Sequence, residues 1–342
     1  MKRTGYLKER VVSLDNLYVA YNKACKGKYW KQEVLDFSAK LDDNIRMLRE
    51  KLIDGSLNFG NYHYFTIRDP KERTICAASF SERIIHHAII NICQPYFDKT
   101  LIDTTYATRK GKGVYAALEK AKEALSDYPY TVKLDFRKYY DSIDHCVLKH
   151  RLSRLFKDFW LINLFDKIID SFEKEPGKGL PIGNLTSQYF ANNYLSIIDH
   201  KAKEQWGVPV YIRYMDDILM AGKDKGSLID AVKEMTDFSY RELRLTLKPP
   251  VYRKSKDGQT FLGYKVLPYR IQLSGRSKRR FRTKLLEYGK LVDNGTWTES
   301  TYQERILPLL AFVQHAESRT FRRACLQIHT CKGDNQIVAS TV

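Results

Sequence analysis

Apolar residues recur at helical spacing through the first part of the chain and then change rhythm. Across 30–52 they fall at Val34, Leu35, Phe37, Leu41, Ile45, Leu48 and Leu52, the spacing of one helix face. Asp15-Asn16-Leu17 offers a cap for an earlier helix, and Asp54-Gly55 a stop. Strict alternation follows in Tyr62-His63-Tyr64-Phe65-Thr66-Ile67. With a turn at Asp69-Pro70-Lys71-Glu72 and a return through Arg73-Thr74-Ile75-Cys76-Ala77, this predicts a β-hairpin. Helices are predicted over 81–97 and 114–125, a strand over 130–135, helices to 172, and one long helix from about 185 to 203. Two apolar stretches, Val210-Tyr211-Ile212-Arg213 and Ile218-Leu219-Met220, predict strands joined by a tight turn. An amphipathic helix (Leu228, Val232, Met235, Phe238, Tyr240, Leu243) follows. Strands are then predicted at 245–248 and 261–266, with Gly258 turning between them. The order implies an α+β chain with a four-stranded antiparallel sheet backed by helices, and a separate helical tail beyond Gly275.

The turn between the two apolar stretches is Tyr214-Met215-Asp216-Asp217. Burying two acids at the tip of an apolar hairpin is costly unless cations meet them. An exposed Asp-Asp turn is the plain alternative. Against it stands a third acid in a similar setting, Asp135 in Val132-Lys133-Leu134-Asp135-Phe136. Three carboxylates on adjacent strand ends are what a pair of Mg2+ ions needs.

Charge widens the picture. The 342 residues carry 58 Lys plus Arg against 40 Asp plus Glu, a formal +18, which points to a polyanionic partner. Hydrophobic content of 43% fits a folded chain. No apolar run is long enough to cross a membrane, and no apolar segment follows the charged start, so neither a membrane location nor secretion is expected. Six scattered cysteines without a CxxC pair suggest reduced thiols, a cytoplasmic setting and no zinc site. His86 and His87 lack metal-ligand spacing. Arg68, Lys71 and Arg73 flank the first hairpin's tip, where arginines can clamp a triphosphate or simply be solvated. Tyr106-Ala107-Thr108-Arg109-Lys110-Gly111-Lys112-Gly113 is a basic glycine loop before a helix, suited to a phosphate backbone. In 276–290, Arg276, Lys278, Arg279, Arg280, Arg282, Lys284 and Lys290 face only Glu287, the composition of a lobe turned to phosphates. Asp144 is the simplest N-cap for the helix after it.

These stretches, in this order, resemble a reverse transcriptase. Tyr214-Met215-Asp216-Asp217 with Asp135 resembles its palm. Arg73 lies in the fingers motif, the 106–113 loop is similar to the basic loop that follows, and Phe261-Leu262-Gly263-Tyr264 resembles the primer grip. Ile182-Gly183-Asn184-Leu185-Thr186-Ser187-Gln188 is similar to the motif of diversity-generating retroelement enzymes, whereas group II intron enzymes carry Gln-Gly-x-x-x-Ser-Pro there. The resemblance covers about 60–275. It implies a right-hand polymerase fold: N-terminal helices and fingers (1–100), palm (101–141), more fingers (142–180), a ferredoxin-like palm with the catalytic hairpin (181–272) and a basic helical thumb (273–342). It implies RNA-directed DNA synthesis with two Mg2+ ions, error-prone at template adenines, in a bacterial or phage setting. Asp135, Asp216, Asp217 and the Phe136 carbonyl would hold the metals. Lys71, Arg73, Phe136, Tyr140, Ser187, Gln188 and Lys248 would surround the dNTP, with Tyr140 as a steric gate against a 2′-hydroxyl. Arg109, Lys110, Lys112, Ile182, Gly183, Tyr214, Met215, Leu262, Gly263, Tyr264, Arg276, Lys278, Arg279 and Arg280 would meet the template RNA and the cDNA primer. A small, basic, oligomeric accessory protein is the implied partner. The alternatives are a group II intron-like or retron enzyme, or an idle RNA-binding scaffold on the same fold. The retron motifs Asn-Ala-x-x-His and Val-Thr-Gly do not occur.

Overall fold

The computed structural model describes residues 3–68 and 72–330, the last five by backbone alone. Four helices come first: α1 (Lys8–Val11), α2 (Leu14–Cys25), α3 (Gln32–Ser38) and α4 (Leu41–Asp54). The helix expected across 30–52 is thus two, broken where Lys40 takes φ −133°. Ser13, not Asp15, caps α2, its hydroxyl accepting from the Asn16 amide. Gly55 ends α4 in the left-handed region, as expected.

β1 (Tyr62–Arg68) and β2 (Glu72–Ala78) form the first hairpin, in register from Tyr62↔Ala78 to Arg68↔Glu72. Its tip, including the expected triphosphate ligand Lys71, lies outside the described residues. α5 (Phe80–Asp98) and α6 (Val114–Asp127) lead to β3 (Tyr130–Leu134). Then come α7 (Tyr139–Ser142), α8 (His145–Leu155), α9 (Phe159–Asp170), α10 (Leu185–Tyr194) and α11 (Ser196–Glu204). The last two replace the single helix expected over 185–203. Asp144 does cap α8, accepting from the Val147 amide.

β4 (Val210–Tyr214) and β5 (Asp217–Gly222) make the second hairpin. They are followed by α12 (Lys225–Leu243), β6 (Val251–Lys254), β7 (Gln259–Phe261), β8 (Tyr264–Leu267) and β9 (Arg270–Leu273). α13 (Gly275–Asp293), α14 (Glu299–Gln314) and α15 (Arg319–Thr330) close the described chain. The central sheet has the order β4-β5-β3-β6 and is antiparallel throughout. Four strands were expected, but the fourth is 251–254 rather than 245–248. Pro249-Pro250 lack the N–H groups a ladder needs, so pairing restarts beyond them. Residues 246–248 instead extend β3: the Arg137 amide donates to the Thr246 carbonyl (2.9 Å) and the Lys248 amide to the Asp135 carbonyl (2.8 Å). The single strand expected at 261–266 is split by a turn at Leu262-Gly263 into the end of β7 and most of β8, in a separate sheet of order β7-β8-β9.

β5 lies between two cores. Ile218 and Met220 join the core of α2, α5, α9 and α10, while Leu219 and Ala221 join that of α6, β8 and α13. A strand buried on both faces loses its polar alternation, which is why 218–221 is wholly apolar. The described cysteines are all free. No described helix is long and apolar enough to cross a membrane.

Candidate functional site

The second hairpin turns in two residues. Tyr214↔Asp217 is its last pair, leaving Met215 and Asp216 at the tip. Such a turn favours positive φ at its first central position, and Met215 adopts φ 54°. A side chain with a Cβ is strained there, so something must hold it.

The holder is a buried network that the sequence reading missed. Arg213 alternates with Tyr211 and points to the same face. There its Nε and Nη2 donate to the two carboxylate oxygens of Asp199 on α11, at 2.6 and 2.5 Å. Nη1 reaches the Asn192 side chain (2.8 Å) and the Met215 carbonyl (3.1 Å), and Nη2 also reaches the Asn192 carbonyl (3.1 Å). All five guanidinium N–H groups are thereby used. Asp199 also accepts from the hydroxyls of Tyr211 (2.8 Å) and Thr105 (3.1 Å). Both charges have no solvent exposure. Burial works against the charge on Arg213, yet Asp199 holds its proton tighter than an ordinary guanidinium's. A signal was present: one Arg inside an apolar strand must find an acid.

The three candidate acids meet at one end of the sheet. Leu134 pairs with Ile218, so Asp135 and Asp217 follow on neighbouring strand ends with Asp216 at the turn between β4 and β5. Burial, then the charges of Asp217 and Asp135, raises the Asp216 carboxyl to about 6. Two lysines answer the other acids: Lys248 Nζ lies 2.5 Å from Asp135 and Lys133 Nζ 3.0 Å from Asp217. Among the described residues no three acidic, His or Cys side chains close on one point as a metal site. The donor set still suits a hard divalent cation, with carboxylate oxygens on adjacent ends, and the repulsion recorded at Asp216 is what such a cation relieves. Phe136 is buried. The two hydrogen bonds flanking its bridge to Leu247 turn its own carbonyl toward the β5 side.

A loop ties this site to the first hairpin. The Leu180 amide donates to the Tyr140 carbonyl, and the Ile182 carbonyl accepts from the Cys76 amide, both at 2.8 Å. The Asn184 side chain accepts from the Ala78 amide at 3.1 Å. Tyr140 is partly buried beside Asp216, and burial with that charge holds its hydroxyl proton well above the usual phenol range, while Arg73 pulls the other way. Gly183 sits at φ 120°, and a Cβ there would meet Ile75 Cγ2 at 2.8 Å. Gly183→Ala is therefore expected to lower stability by roughly 1–3 kcal/mol, read as a lower midpoint in denaturant unfolding. Ser187 is buried in the first turn of α10 and Gln188 partly so. His86 is buried beneath Thr186 (Oγ1–Nδ1 3.3 Å) and is pushed down to about 3 by burial and His87, a packing histidine as expected.

The comparisons with known proteins decide the family. Residues 68–266, more than half of the chain, match the family described as reverse transcriptase (RNA-dependent DNA polymerase). The chain belongs to the reverse transcriptase family. It is 22% identical over 277 residues to protein YkfC of Escherichia coli K12, covering 67% of this chain and 72% of that protein. It is 24% identical over 202 residues to the group II intron-encoded protein LtrA of Lactococcus lactis, covering 55% of this chain but only 32% of LtrA. Among solved structures, the Sicinivirus 3Dpol RNA-dependent RNA polymerase aligns with a TM-score of 0.53 at 16% identity, over 84% of this chain and 66% of that one. That likeness, with the mixed helices and antiparallel sheets, gives the right-hand polymerase fold.

Elsewhere this reverse transcriptase uses several expected contact residues for its own fold. Arg109 turns inward, its Nη1 donating to the carbonyls of Ile102 (2.7 Å) and Thr105 (3.0 Å), so it supports the loop. Lys112 pairs with Asp103 at 2.6 Å, and Lys110 remains exposed. Leu262 and Gly263 form a two-residue turn with positive φ at both. The Gly263 carbonyl accepts from the Ser277 hydroxyl (2.5 Å) on α13. Tyr264 is fully buried, its hydroxyl donating to the Phe312 carbonyl (2.8 Å), so it braces this turn from beneath instead of meeting a strand. On α13, Arg276 and Arg279 are exposed and Arg280 partly buried, while Lys278 and Arg282 lie over the Phe321 ring of α15.

Proposed function

We propose that this chain is an RNA-directed DNA polymerase acting by two-metal nucleotidyl transfer, of the diversity-generating retroelement type. The observation that carries the polymerase reading is Asp135 beside the Asp216-Asp217 turn on adjacent strand ends, inside a family match that spans them. In this reading Asp135, Asp216, Asp217 and the Phe136 carbonyl hold two Mg2+ ions. When bound, these supply a lowered pKa at the primer 3′-hydroxyl and stabilisation of the pyrophosphate. Lys248 and Lys133 neutralise the acids until then, and in this reading Lys248 gives a proton to the leaving pyrophosphate. Arg73, with Lys71, draws the triphosphate toward Asp216, and Tyr140 lies under the sugar. Ser187 and Gln188 form the floor. Tyr214 and Met215 face the primer end, and Leu262-Gly263 the primer backbone. Residues 1–100 and 142–180 serve as fingers, 101–141 and 181–272 as palm, and 273–342 as thumb, with Arg276, Lys278, Arg279 and Arg280 toward the template–primer duplex. The partners are a template RNA, its cDNA, dNTPs and a small basic accessory protein. Labelled dNTP incorporation on a primed RNA with Mg2+ tests the activity; a scaffold gives none.

The retroelement subtype rests on Ile182 at the head of Ile-Gly-x-x-x-Ser-Gln, where the group II motif has Gln. A polar side chain there can hydrogen-bond the template and hold its base in register, and an aliphatic one cannot. One positioning hydrogen bond is worth about 0.5–1.5 kcal/mol, up to roughly tenfold in discrimination. Ile182→Gln is expected to lower misincorporation opposite adenine by up to about tenfold while synthesis continues. Equal error rates in both proteins would mean that Ile182 merely packs the loop and that the fidelity reading is wrong; the likeness to LtrA is compatible with the group II-like alternative.

A further inference from the structure

The central sheet has an open basic edge at the end of β3 remote from Asp135. β6 pairs with β3 from Tyr130↔Lys254 to Lys133↔Val251. Among the described residues no strand pairs with its outer side. A cavity of about 730 Å³ opens there. Its wall brings Lys225 from the start of α12 together with Arg253, Lys254 and Lys256, beside Tyr130 and Tyr252 and against the single carboxylate of Asp257. None of the four cations enters an ion pair among the described residues. A strand rises about 3.3 Å per residue, so the Tyr130 end of this cavity, five residues along β3, lies roughly 17 Å of strand from Asp135.

Cations on an edge strand can serve simply to deter pairing with another chain. That role needs neither a concave wall nor Lys225 from a different element. Four cations from two elements, none in an ion pair among the described residues, around a concavity whose wall also holds Tyr130 and Tyr252, are suited to a sugar–phosphate backbone with bases beside it. We propose that this groove is a second RNA-binding site, which holds a part of the bound RNA that is not being copied. It shares with the preceding reading only the choice of RNA as partner.

The test is the full chain carrying Arg253→Gln, Lys254→Gln and Lys256→Gln, all exposed positions whose loss leaves the core intact. Binding of a long folded RNA is measured against salt without dNTPs, alongside binding and extension of a short primed RNA. The slope of log affinity against log salt is expected to fall by roughly 2–3 for the long RNA. Binding and extension of the short substrate should not change. An unchanged slope overturns the proposal. So does an equal loss on the short substrate, which would put these cations on the copying path. Retained RNA binding with lost binding to anionic vesicles also overturns it and gives the groove to a membrane surface. Since the long RNA is read without synthesis, a chain that copies nothing can still pass.

Discussion

Asp216→Asn is expected to end nucleotide incorporation and, at neutral pH, to raise the thermal midpoint of the metal-free chain. Both effects come from one carboxylate. The folded chain holds the Asp216 proton to about 6, against an ordinary 3.8. A raised folded-state value means the proton binds more tightly to the folded chain. The associated stability is fully present below 3.8 and is lost as pH rises through 6. Above pH 6 the ionised carboxylate therefore works against the fold, by something on the order of 3 kcal/mol from a shift of about two units. Asparagine removes that charge, so the midpoint should rise by several degrees at pH 7.5. Near pH 4 the gain should vanish, because the native Asp216 is then protonated. Synthesis should fail at every pH, as asparagine cannot replace a carboxylate toward Mg2+. RNA binding should persist. Substantial activity in this variant, or in Asp135→Asn, would falsify the metal assignment.

Arg213→Met is expected to destabilise the chain by about 3–5 kcal/mol, because it leaves Asp199 buried and unpaired. The informative variant is the double one, Arg213→Met with Asp199→Leu. Removing both buried charges often restores stability, so its unfolding midpoint should recover much of the loss. Incorporation should not recover. The Met215 carbonyl has lost its donor, and a side chain at φ 54° drifts when nothing holds it. Asp216 then leaves its place beside Asp135. The double variant should fold, keep its RNA affinity and show a reduced kcat with a raised Mg2+ requirement. Recovery of stability and activity together would make Arg213 a fold residue with no part in positioning the turn.

The acids were legible in sequence because polar groups in apolar surroundings stand out; alternation gave the first hairpin and two apolar stretches the second. What failed was what depends on distant neighbours. Helical spacing records neither the break at Lys40 nor the division of α10 from α11 at Leu195. The fourth strand was misplaced although Pro249-Pro250 marked where a ladder must stop. Arg109 and Tyr264 carry the right chemistry for nucleic acid, but composition does not say which way a side chain points. Arg109 turns to its own carbonyls and Tyr264 beneath α14. Asp199 was invisible for the opposite reason: an acid on a helix reads as a solvated face until its partner strand is known.

The position of β5 between two cores also decides how the molecule breathes. Amides in a strand shielded on both sides exchange with solvent only when both shields part, so loosening of the N-terminal helices or of α13 alone leaves it closed. The first hairpin, exposed along most of β1, rests on fewer buried contacts and can yield early. Asp217 is thus fixed to a strand that opens late, while Arg73, which reaches toward the site from the first hairpin, belongs to an element that opens early.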